Sequence, residues 1–173
     1  NLKKPINILE DLNRFSYSSL NKDSDGEIVR DGMDITLVAL NIKEMKIEFS
    51  GALNPIYIIR DNEVLITKGD KFAIGSFKPS KQNYTNHIIN LEKNDVIYLF
   101  SDGYADQFGG VKGKKFMYRQ FRELLLEISE LPMDKQKEIL EEKFNSWRGS
   151  HEQIDDVLVI GVRVSESDYK ILS

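Results

Sequence analysis

The 173-residue sequence predicts a layered α+β fold, and three observations carry that reading. Apolar residues recur at helical spacing in three stretches, one near the start and two after residue 116. Between the first helix and the other two lie about six short stretches rich in β-branched and aromatic residues, which are strands in type. The joins between the first four of those strands are too short for crossover helices, so these neighbours pair antiparallel.

Residues 5–20 read as a helix. Pro5 suits a first helical turn. Ile8, Leu12 and Phe15 make one apolar stripe, with Leu9 beside them. The acidic loop Asn21-Lys22-Asp23-Ser24-Asp25-Gly26-Glu27 imitates the start of a calcium-binding EF-hand. Gly32 stands at the twelfth position, where a bidentate Glu is needed, so the segment reads as a solvated loop. Strands at 34–40 and 45–49 form a hairpin, the second alternating between a buried and a wet face. Strands at 56–60 and 63–67 flank Asp61-Asn62, a two-residue loop whose members both tolerate positive φ. Gly51 and Pro55 punctuate the join between the two hairpins.

Residues 68–86, with Gly69, Gly75 and Pro79, form a loop that crosses from one layer to another. A strand at 87–91, the turn Glu92-Lys93-Asn94-Asp95 and a buried strand at 96–100 follow. Then the period changes. Met117, Phe121, Leu124 and Ile128 form a helical stripe. Pro132 opens the last helix, Leu140, Phe144 and Trp147 are its apolar face, and Gly149 is its stop. A buried strand covers 157–162, and residues 165–173 form a surface tail. The aromatic residues fall on apolar faces and read as core.

Length fits one domain, residues 1–173, able to bury a sizeable core. Hydrophobic residues make up 40% and charged ones 30%, the balance of a soluble globular chain. A net charge of −4 with scattered lysines and arginines argues against nucleic acid as a partner. The absence of cysteine excludes a disulfide framework, a thiolate zinc site and a cysteine-nucleophile phosphatase. It fits a reducing, cytoplasmic setting. No apolar run reaches the roughly 18–20 residues of a membrane span, and no signal-peptide pattern is present. Phosphate-binding glycine loops and a Gly-x-Ser-x-Gly elbow are missing too. His87 and His151 lack the spacing of metal ligands or triad members.

The candidate chemistry lies at Ser101-Asp102-Gly103, where a buried strand ends on a carboxylate, and at Asp155-Asp156, where another strand begins. If those strands are antiparallel neighbours, the exit of one lies beside the start of the other, and the carboxylates share one sheet edge. Clustered acids repel each other, and a hard divalent cation such as Mg²⁺ or Mn²⁺ relieves that repulsion through oxygen ligands. Taken alone, both motifs also fit polar turns.

As a set, four motifs resemble a known family. They are Asp31-Gly32-Met33-Asp34, Phe49-Ser50-Gly51-Ala52-Leu53-Asn54-Pro55, the run from Leu99 through Ser101-Asp102-Gly103 to Gly109, and Asp155-Asp156-Val157-Leu158-Val159-Ile160. In this order and spacing the chain resembles the metal-dependent type 2C protein serine/threonine phosphatases, in the bacterial branch typified by SpoIIE and RsbU-like regulators. The resemblance implies an αββα sandwich of two antiparallel sheets flanked by helices. It also implies two metal ions, Mn²⁺ or Mg²⁺, per complete domain. By the same resemblance Asp102, Gly103 and Asp155 belong to the metal site, Asp31 lies near an extra metal position, and Ser101 and Asp156 support the ligands. The family's first metal motif, an Asp shortly before Gly-His-Gly, does not occur in these residues. The resemblance therefore covers the C-terminal three-quarters of such a domain.

The implied activity is hydrolysis of phosphoserine or phosphothreonine on a regulatory protein, such as an anti-sigma-factor antagonist, by a metal-activated water. A homodimer and an upstream sensory domain are partners this reading allows, and membrane contact is not among them. Two rivals stand beside it: a non-catalytic phosphatase-like binding module, and an unrelated α+β metal enzyme acting on nucleotides.

Overall fold

A computed structural model describes residues 4–20, 32–76 and 83–165. The acidic loop, Asp31 and the tail beyond Ser165 lie outside the described residues. The elements run α1 (Pro5–Leu20), β1 (Ile35–Asn41), β2 (Lys46–Ala52), β3 (Ile56–Arg60), β4 (Glu63–Thr67), β5 (His87–Asn90) and β6 (Val96–Phe100). They continue with α2 (Gly103–Asp106), β7 (Phe108–Gly109), β8 (Lys114–Lys115), α3 (Met117–Ile128), α4 (Met133–Arg148) and β9 (Val159–Arg163). The sheets have orders β1-β2-β5, β4-β3-β6-β9 and β7-β8. This is the mixed α+β class with antiparallel sheets that the strand spacing predicts.

The chain falls into two compact units. In the first, β1 pairs antiparallel with β2 and β2 with β5. Helix α1 packs on this sheet through Pro5, Leu9 and Asn13, one row at i, i+4 and i+8. That row corrects the apolar stripe read from the sequence: Leu12 and Phe15 are exposed. The stripe missed it because one of its members is polar. Asn13 is buried, and its Oδ1 accepts the Gly75 N–H at 2.8 Å. Strand β2 also runs three residues past its alternating pattern. Ser50, Gly51 and Ala52 are all buried, and a Cβ on Gly51 would lie 2.5 Å from the Asn54 carbonyl.

The second unit holds the sheet β4-β3-β6-β9 with α2, α3 and α4. The β3–β4 turn forms as expected, with Asp61 at φ 47° and Asn62 at φ 61°. The core is aromatic. Phe100 meets Tyr57 and Phe121 at ring separations of 4.7 and 5.0 Å, and Tyr104 meets Phe121, Phe144 and Phe116 at 4.7, 5.2 and 5.3 Å. The chain of rings joins β3 and β6 to all three helices. A buried polar knot closes the α3–α4 turn against the sheet. The Tyr98 hydroxyl donates to Gln136 Oε1, and Gln136 Nε2 donates to the Ser129 and Leu131 carbonyls at 3.0 and 2.8 Å.

The turn before β6 hides a second polar anchor. Asp95 is 1% exposed, and its two oxygens accept Arg60 Nε at 2.9 Å and Nη2 at 2.7 Å. A bidentate pair of this kind survives only while both members are present. Asp95→Asn therefore lowers stability by about 2 kcal/mol. A urea midpoint unchanged from the native chain would contradict this.

Candidate metal centre

Two strand ends build the centre. Strands β6 and β9 are antiparallel neighbours, with Phe100 opposite Val159. Beyond that pair Ser101 extends the contact. Its N–H donates to the Leu158 carbonyl at 3.0 Å, and its hydroxyl donates to the Asp156 carbonyl at 2.7 Å and accepts the Leu158 N–H at 3.0 Å. One serine thus replaces the next rungs of the ladder and clamps the segment before β9. This is where the structure departs from the predicted strand at 157–162. Regular pairing starts at Val159, because Ser101 Oγ takes the backbone groups a longer strand would use.

Asp102 occupies the N-cap position of α2 with helical backbone angles and makes no capping bond through its side chain. This one-turn helix is too short to carry a periodic signal. Gly103 is required where it stands: a Cβ there would lie 2.5 Å from the Asp156 carbonyl. The close approach draws the Asp155-Asp156 segment against the first turn of α2. Asp155 is exposed, and its Oδ1 accepts the Asp156 N–H at 2.7 Å. Asp156 meets this clamp through its backbone carbonyl, and its side chain is exposed. Gln107, fully buried, holds the same segment further out, donating to the Glu152 carbonyl at 2.8 Å.

The electrostatics follow from this crowding. The Asp102 carboxyl is held above its ordinary value of 3.8, first by partial burial, then by the charges of Asp155 and Asp106. Its own backbone hydrogen bond and the charge of Lys115 act the other way. So Asp102 and Asp155, paired from the sequence, do feel each other. Asp106 and Lys115 join them without having been singled out. Asp106 lies at i+4 from Asp102, and its N–H donates to the Asp102 carbonyl at 2.9 Å. The i, i+4 spacing within Asp102-Gly103-Tyr104-Ala105-Asp106 was the available signal.

Among the described residues, no group of three or more His, Cys, Asp or Glu side chains could hold a metal ion by itself. Asp102 and Asp155 do fit as two members of a larger oxygen set. Both are carboxylates, the Asp102 side chain makes no capping bond to the helix, and the Asp155 charge raises the cost of ionising Asp102. That is the donor chemistry of a hard divalent cation.

Comparison places this fold among phosphatase domains of the PP2C type. The PP2C domain of SiaA from Pseudomonas aeruginosa is similar at 27% identity and a TM-score of 0.78, over 92% of this chain and 61% of that one. The RsbU and RsbW domains of a Mycobacterium tuberculosis protein match at 16% identity and a TM-score of 0.68, over 94% of this chain and 43% of that one. The Bacillus subtilis SpoIIE phosphatase domain, in a crystal presoaked with Mn, matches at 15% identity and a TM-score of 0.61, over 96% of this chain and 76% of that one. The chain thus spans about three-fifths of the SiaA structure. No curated protein matches it significantly. The profile of the family described as Stage II sporulation protein E (SpoIIE) matches residues 1–165, and the chain belongs to that family.

Two outcomes test this geometry. Gly103→Ala forces a Cβ onto the Asp156 carbonyl and lowers stability by about 2 kcal/mol; an unchanged denaturation midpoint would contradict the close approach. Asp102 titrates above its unfolded value in the fold, so the cost of its charge is absent below pH 3.8 and grows as pH rises through the folded value. In chelator, Asp102→Asn therefore raises the melting temperature at neutral pH, and the gain shrinks toward about pH 3. An equal gain at both pH values would rule out the charge explanation.

Proposed function

We propose that this chain carries the metal-binding half-site of a protein serine/threonine phosphatase, which hydrolyses phosphoserine or phosphothreonine on a regulatory protein. The observation that supports it is the Asp102–Asp155 pair, gathered by Ser101 and Gly103 where β6 and β9 meet, in a chain of the SpoIIE family.

In this reading the Asp102 and Asp155 carboxylates and the Gly103 backbone hold Mn²⁺ or Mg²⁺, two ions per complete domain. Bound there, the ions supply water in ionised form near neutral pH and offset charge on the phosphoryl oxygens. Asp102 and Asp155 act as ligands rather than as acid and base. Ser101 fixes both strand ends, so the ligands keep their separation whether or not the site is loaded. Asp156 supports the ligands through its backbone, and Asp31 remains a candidate for an extra ion. Work on a phosphorylated regulator in the cytoplasm fits the sigma-factor signalling reading; a homodimer and an upstream sensory domain belong to the same reading. Among the described residues, no helix is long and apolar enough to cross a membrane.

The test is direct. Asp102→Asn and Asp155→Asn each abolish metal-dependent hydrolysis of a phosphoserine peptide, while circular dichroism stays native. Activity retained in either variant would remove that residue from the ligand set. Hydrolysis of nucleotides in preference to phosphopeptides would favour an unrelated metal enzyme.

A further inference from the structure

Lys115 stands among these acids as a nearby positive charge, with no task yet in the proposed chemistry. Its ammonium lies 2.8 Å from Asp106 Oδ2 and 5.9 Å from the centre of the Phe108 ring. Asp106 follows Asp102 by one helical turn, so the two acids share a face of α2 and Lys115 stands at that face. The ion pair does little for the fold. Its side chains are 39% and 35% exposed, a setting in which ion pairs add little stability.

The backbone beneath Lys115 is nonetheless firmly mounted. Lys115 sits on β8 opposite Phe108 of β7. Next to it, the Phe116 N–H donates to the Gln107 carbonyl at 2.9 Å, and the Trp147 indole donates to the same carbonyl at 3.0 Å. The Gly110 N–H donates to the Trp147 carbonyl at 2.8 Å. At Gly109 a Cβ would lie 1.9 Å from that carbonyl, so the hairpin is pressed onto the end of α4. A long cationic side chain is thus carried by a fixed backbone to an acidic centre. Such a mount is out of proportion to a half-exposed ion pair.

We propose that Lys115 is a phosphate-binding residue: its ammonium leaves Asp106 to hold a non-bridging oxygen of the phosphoryl group at the Asp102–Asp155 centre. The inference rests on the phosphatase reading above. A phosphate monoester near neutral pH carries close to two negative charges against one on Asp106, and a compact ammonium is a suitable point charge for it. Asp106 serves as the resting partner, keeping the ammonium beside the centre between substrates. The Lys115 ammonium lies over the Phe108 ring and gains a little from the ring face. No covalent step is assigned to Lys115.

The experiment uses this chain with magnesium present. Inorganic phosphate is titrated by ³¹P NMR into the native chain, Lys115→Met and Lys115→Arg, and hydrolysis of p-nitrophenyl phosphate is followed in parallel. Lys115→Met raises the Kd for phosphate about tenfold and KM by a similar factor, with a smaller change in kcat. Lys115→Arg keeps the charge and stays within about threefold of the native chain. Melting temperatures match throughout, which a purely structural role would not produce together with a weakened Kd. Lys115→Gln gives the same comparison should Met disturb the hairpin. Unchanged phosphate affinity in Lys115→Met overturns the proposal. So does a native chain that binds no phosphate, or a loss in Lys115→Arg as large as in Lys115→Met. Lysine-dependent phosphate binding here, with no phosphoserine hydrolysis by the complete domain, would instead refute the phosphatase reading and leave the assignment of Lys115 standing.

Discussion

The antiparallel pairing of β6 with β9 is the constraint on which the acidic centre depends. Neither Asp102 nor Asp155 lies on a strand. Each lies just beyond one, and only the register that sets Phe100 opposite Val159 brings the two overhangs together. Ser101 continues that register with a side chain where the backbone ladder stops. Gly103 then lets the chain turn into α2 against the Asp156 carbonyl. Three adjacent residues thus have three separate physical tasks: a clamp, a charge and an allowance of space.

Folding brings these charges together at a cost. Asp102 is partly buried, faces two other carboxylates and has Lys115 as a nearby positive charge. The surrounding scaffold bears that cost. The ring cluster around Phe100 and Tyr104 anchors both ends of the Ser101–Gly103 turn from below, and the Arg60–Asp95 pair secures the other end of β6. A strand held this firmly keeps its acidic exit in place, and under the proposed function a cation at that exit would remove the repulsion. Stability of the strand and chemistry of its end are two sides of one arrangement.

Much of this was legible in the sequence because it rests on local signals. Strands β3, β4 and β6 and helix α3 fall on the residues expected of them, since β-branched runs, the Asp61-Asn62 turn and the Phe121 stripe each suffice locally. The pairing of Asp102 with Asp155 was legible only as a condition on strand order, and β6 and β9 meet that condition. Other features rest on tertiary contacts that no periodicity records. Asn13 is buried because Gly75 needs an acceptor, so α1 turns a different face inward than its apolar residues suggest. The one-turn helix α2 and the β7–β8 hairpin are too short for any period. They exist because Gly109 packs on Trp147 and Gln107 ties neighbouring segments together. Lys115 was invisible for the same reason: its meaning depends on Asp106 being beside it.

The central claim is that strand pairing makes Asp102 and Asp155 into one cation site. Thermal melts of this chain across a titration of Mg²⁺ or Mn²⁺ test it most directly, because they require no substrate. The account predicts a melting temperature that rises with cation concentration in the native chain and stays flat in both Asp102→Asn and Asp155→Asn. A native chain indifferent to the cation, or a rise that survives both substitutions, would contradict it.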